Sequence, residues 1–106
     1  MDIEFRAWND IDKMMIEWAA LKVLPVFFTN IIKGKVKHHK LLQYTGLKDE
    51  QGVKLYDGDI YLKWGERCVC DFEQVIYEKH ECLIFDGGFL IIGNKYENSE
   101  LLEQSK

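Results

Sequence analysis

The residues with the greatest capacity for chemistry lie in two short clusters, Cys68-Val69-Cys70 and His80-Glu81-Cys82. On a β-strand, residues i and i+2 point to one face, so each cluster presents two ligands together. Were those strands paired, three thiols and an imidazole would converge, a donor set that suits tetrahedral zinc. The spacing argues the other way. Structural zinc sites hold their cysteines with two to four residues between them on a turn, and a C-x-C on a strand has one and lacks that turn. Cysteine also behaves as a small buried hydrophobe. Cys68, Cys70 and Cys82 are therefore read as reduced strand packing, with no metal and no cofactor assigned to them or to His80.

The carboxylates Asp49, Glu50, Asp57 and Asp59 raise calcium binding and general acid–base catalysis. A calcium loop needs oxygens at positions 1, 3 and 5 and glycine at 6. Placing Gly52 or Gly58 sixth puts Leu47 or Val53 first, so the pattern fails. Nothing fixes a separation suited to paired-carboxylate catalysis, and solvated turn acids are the reading preferred. Nucleophiles fare no better. Only Ser99 and Ser105 carry a serine hydroxyl, and neither lies in a G-x-S-x-G elbow. Gly34-Lys35 lacks the upstream glycines of a phosphate loop, and a pairing of His80 with Cys68 or Cys82 rests on presence alone. No catalytic residue is assigned, and the chain is not read as an enzyme.

Charge offers a more local feature. Residues 33–40 hold Lys33, Lys35, Lys37 and Lys40 without an acid, while the other 98 residues sum to −8. If the segment is extended, Lys33, Lys35 and Lys37 share one face, a candidate strip for nucleic-acid phosphates. Lysines on a solvated loop, or guarding an edge strand, account for the same pattern. The net charge of −4 opposes polyanions in general and ranks nucleic acid below protein as a partner.

The elements that must position these residues follow from composition and periodicity. The chain has 106 residues, 47% of them hydrophobic, enough for one small domain and too apolar for wholesale disorder. No apolar run approaches the roughly 20 residues of a membrane helix, the acidic start is unlike a secretory leader, and three cysteines make no disulfide framework. A cytoplasmic setting is the expectation. Residues 3–8 alternate as a half-buried strand, Asn9 to Asp12 supply a turn, and Met14 to Trp18 return, so 3–18 predicts a β-hairpin. Leu21 to Phe28 is apolar, and Pro25 confines it to a sheet edge or a break. Leu41 to Thr45 reads as a strand, Gly46 to Gly52 and Tyr56 to Asp59 as turns, with Asp57-Gly58 a hairpin signal. Short apolar runs from Ile60 to Ile92 predict a meander of strands, and Asn98 can cap a short helix over 99–103.

Three blocks also line up with a known family. They are Phe5-Arg6-Ala7-Trp8 with Lys13-Met14-Met15; Gln43 to Asp49 with Gly52 and Tyr56 to Ile60; and Ile92 to Leu102. In this order they resemble the YopX family, small proteins encoded by phages and prophages. Ser99 stands where that family usually has proline. The resemblance implies a mainly β fold, a small SH3-like β-barrel with an added N-terminal hairpin and a short C-terminal helix. It implies a single domain over 1–106, with a barrel core at 41–93, a hairpin and connector at 1–40 and a tail at 94–106. It brings no catalytic residues. The expected role is a non-catalytic module binding a host or phage protein, with nucleic-acid binding through residues 33–40 as the alternative. No membrane partner is expected, and homo-oligomerisation is left open. Trp8, Trp18 and Trp64 are more aromatic surface than a small barrel buries completely, and aromatics favour interfaces.

Overall fold

The computed structural model describes residues 3–78 and 88–103. Among them the chain is mainly β with a few short helices, and its strands form two antiparallel sheets, one four-stranded and one three-stranded. It divides into two compact units, one up to Gln43 and one from Tyr44 onward.

In the first unit, β1 (Phe5–Asn9) and β2 (Met14–Ile16) form the expected antiparallel hairpin, with Trp8 opposite Met15. The Asn9 side chain closes its turn by accepting the Ile11 and Asp12 amides at 3.0 and 3.1 Å. The other edge of β1 pairs with the first half of β3 (His39–Lys48), Ala7 facing Leu41.

The run from Leu21 to Phe28 is not a sheet edge. Two short helices occupy it, α1 (Trp18–Leu21) and α2 (Pro25–Ile32), with Pro25 in the first turn of the second. Proline costs nothing there, because the first amides of a helix have no internal partner. The break falls just before Pro25. Ala7, Leu21 and Ile31 are buried, and Phe5, Ile16, Phe27 and Val36 pack against them. Trp18 joins that core through Phe5 and Phe28, with ring centroids 6.2 and 5.6 Å away.

In the second unit the latter half of β3 pairs with β4 (Lys54–Tyr56), Tyr44 opposite Tyr56. Gly46 lies inside β3 at φ 91°, where the register shifts, so it bends a strand and the turn begins after Lys48. A three-stranded sheet follows, with β5 (Asp59–Lys63) between β6 (Glu66–Val69) and β7 (Leu90–Asn94). Asp57-Gly58 turns the chain as expected but makes no hairpin, since β4 belongs to one sheet and β5 to the other. A further short helix, α3 (Phe72–Glu78), interrupts the expected meander. Its first amides, those of Glu73 and Gln74, are capped by the Asp71 carboxylate. Leu55, Tyr61, Cys70, Val75 and Phe89 make the core of this unit.

The C-terminal helix α4 (Glu100–Glu103) is present and short. Asn98 turns its side chain backward to accept the Asn94 amide at 3.1 Å, where a forward cap was expected. No described helix is long and apolar enough to cross a membrane.

Candidate functional site

Cys68 and Cys70 do share a face. Cys70 is buried in the core of the second unit, and Cys68 packs half-buried against that core. Burial pushes the Cys70 thiol far above its ordinary range, and the nearby carboxylates of Asp57, Asp59 and Asp71 add to the effect. His80 and Cys82 lie outside the described residues. Among the described residues no three His, Cys, Asp or Glu groups gather as a metal cage.

Two of the four turn acids differ from expectation, while Glu50 is exposed and Asp57 half-buried. Asp49 and Asp59 are only 4% and 2% exposed, so neither is a solvated turn group. Both carboxylates instead satisfy backbone amides. Asp49 Oδ1 accepts from Gln51 and Val53 at 2.9 and 2.8 Å, and its Oδ2 accepts from Ile91 at 3.0 Å. Asp59 Oδ2 accepts from Tyr56 at 2.8 Å, and Asp57 Oδ1 accepts from Phe72 at 3.0 Å. Burial alone would raise the Asp49 carboxyl, but the amides of Ile91, Val53 and Gln51 together outweigh it and hold it low. These acids organise loops, each accepting at least one backbone amide of the chain itself.

The lysine segment is built otherwise than as an extended strip. Lys33 closes α2, Gly34 takes φ 72°, and the amides of Gly34 and Lys35 return to the carbonyls of Ile31 and Asn30 at 3.0 and 2.9 Å. This is a Schellman end, in which a left-handed glycine lets the last helical carbonyls find donors. Val36 then packs into the core, and the strand starts only at His39. Lys33, Lys35, Lys37 and Lys40 are all exposed, yet the alternation that would align the first three is absent. Lys40 sits in β3 opposite Trp8.

Beside this segment lies a surface that the apolar run concealed. The buried side of α2 carries Ile31 and half-buried Phe27 and Phe28, so Pro25, Val26, Thr29 and Ile32 are left outward. Val26 and Ile32 are 72% and 60% exposed. A shallow open cavity of about 330 Å³ is lined by Pro25, Val26, Thr29, Asn30 and Lys33. Charge is segregated along this part of the chain. Residues 18–48 hold six lysines and no Asp or Glu, a wider acid-free stretch than residues 33–40 alone. Residues 2–43 carry seven Lys and Arg against five Asp and Glu, net +2, while 44–106 carry seven against thirteen, net −6.

The second unit presents a different feature. β5 and β6 are joined by Trp64-Gly65, whose φ angles of 54° and 79° give the type I′ pattern. Such turns favour Asn-Gly, so tryptophan at the first position is held in an unfavourable backbone region. Its ring is 85% exposed, with the Lys63 ammonium 5.0 Å from the ring centroid. Trp8, in contrast, is buried at 5% exposure. The sequence trace of the Trp64 site was an indole beside a glycine in a two-residue connection.

Comparison with known proteins places this architecture. A family model described as YopX protein matches residues 4–88. A crystal structure of protein EF1440 from Enterococcus faecalis is similar at a TM-score of 0.57 and 23% identity, covering 96% of this chain and 99% of that one. At that identity the likeness concerns the fold alone. No curated protein matches the chain.

Proposed function

The chain belongs to the YopX family, and from that membership we propose that it is a phage-type accessory protein acting as a non-catalytic protein-binding module in the cytoplasm of a bacterial host. Trp64 carries the reading. A large aromatic ring that is almost wholly exposed, on a turn whose backbone suits asparagine better, adds nothing to its own core. Tryptophan is among the residues most enriched at the energetic centres of interfaces. The buried acids support the non-catalytic side of the proposal, because their oxygens accept backbone amides.

The test is affinity capture from host lysate with the intact chain and with Trp64→Ala, each with and without nuclease, followed by mass spectrometry. The same protein partner, recovered after nuclease and depleted with Trp64→Ala, is the expected result. Recovery that nuclease abolishes in both would favour the second reading, nucleic-acid binding, which draws on the exposure of Lys33, Lys35, Lys37 and Lys40.

A further inference from the structure

We propose that the outward face of α2 is the docking groove for an acidic, amphipathic helical segment of a partner protein. The inference rests on the protein-binding reading and names the chemistry of one partner surface.

Two features must be matched by any occupant. The first is apolar: Pro25 and Val26 line the cavity, Val26 standing 72% exposed, and Ile32 is exposed about a third of a turn farther round the helix. The second is cationic. Lys33 lines the cavity and Lys35 follows it, on backbone held by the Schellman end, and Lys22 precedes α2. With no carboxylate between Glu17 and Asp49, these lysines have no acid close in sequence to neutralise them.

An occupant with aliphatic side chains along one stripe and carboxylates beside it satisfies both. A helix presents that pattern at i, i+3, i+4 and i+7. A cavity of about 330 Å³ takes a few side chains, as a helix laid along the groove would insert. Phosphate backbones would meet the lysines but leave Val26 and Ile32 facing charge. A bilayer surface is less suited as well, since interfacial helices turn aromatics toward lipid and the phenylalanines of α2 face inward. Among the described residues a second copy offers two acidic helices, α3 and α4, but Val75 of α3 is buried in its own core, and Leu101 of α4 is half-buried with its carbonyl accepting from Arg67 Nη1 at 2.7 Å.

The experiment is selection of a displayed random peptide library on the intact chain, followed by fluorescence anisotropy of one enriched peptide. The peptide is measured against the wild type, Val26→Asp/Ile32→Asp, Lys33→Glu/Lys35→Glu and Trp64→Ala. The expected winners carry Leu, Ile or Phe at helical spacing with Asp or Glu between. Their affinity should fall roughly tenfold or more in the aliphatic variant, in line with loss of an interface centre. It should fall several-fold in the lysine variant and with added salt. All five substituted positions are exposed, and far-ultraviolet circular dichroism confirms that the variants fold. Winners that are neutral or basic, or that bind the α2 variants as well as the wild type, overturn the inference. So does α2-dependent binding of phosphatidylserine vesicles or α2-dependent self-association in ultracentrifugation. Winners lost only with Trp64→Ala overturn it while leaving the protein-binding reading in place. A library that yields no winner overturns it too, and the lysate capture then decides the broader reading separately.

Discussion

The carboxylate of Asp49 accepts the Ile91 amide at 3.0 Å, joining residues 42 positions apart in the chain. The same side chain holds the amides of Gln51 and Val53, so one buried acid ties the turn after β3 to strand β7. Asp49→Asn keeps one accepting oxygen but sets an NH₂ against a backbone donor. We expect a loss of about 1.5–3 kcal/mol, the range for hydrogen bonds to charged groups, read by urea unfolding at neutral pH.

The pH dependence of that contribution has a definite sign. Because folding lowers the Asp49 carboxyl, its stabilisation is fully present above the ordinary carboxylate range. It is lost as pH falls through the lower folded value. Urea midpoints measured from neutral to strongly acidic pH should therefore drop on the acid side in the wild type. The drop should be shallower in Asp49→Asn, and equal slopes would refute the assignment.

Gly58→Ala should be more damaging than most glycine substitutions. Gly58 has φ 87°, and an added methyl would stand 2.7 Å from Cε2 of Tyr96. Strain and collision act together there, whereas at Gly34 only strain does, because no atom lies within 4 Å. Thermal unfolding should place Gly58→Ala below Gly34→Ala, with the latter costing about 1 kcal/mol.

Trp64→Asn is predicted to stabilise the protein while impairing binding. Asparagine suits the positive φ of a type I′ turn, a gain of about 0.5–1 kcal/mol by the usual scale of turn optimisation. A higher melting temperature with reduced partner capture would mark Trp64 as retained for an interface. Unchanged capture would count against it.

Cys70 should resist alkylation in the folded state. Only the thiolate reacts, and burial with three nearby carboxylates disfavours it. Peptide mapping after brief iodoacetamide treatment should find Cys70 unmodified in buffer and modified in denaturant.

Much of this arrangement was legible from residue order. The β1–β2 hairpin followed from alternation over residues 3–8 and the turn chemistry of Asn9, whose side chain does bond the turn amides. The shared face of Cys68 and Cys70 followed from strand geometry. The helices α1 and α2 did not, because a short all-apolar run has no period that separates helix from strand. Pro25 points to a break under either reading, and only the packing of Phe27, Phe28 and Ile31 decides. Burial of Asp49 was hidden for another reason. Its third donor, Ile91, lies too far along the chain for local spacing to reveal. The α2 face was missed with the helix that carries it.

The Schellman end of α2 has a consequence for how relatives of this chain can diverge. Backbone bonds from Gly34 and Lys35 set the position of this surface, and the side chains of Val26, Ile32, Lys33 and Lys35 stand outside the core. Mutations at these four positions therefore meet little purifying pressure from folding. If the proposed docking face holds, partner choice can drift across lineages while the scaffold stays put, and recognition evolves faster than architecture.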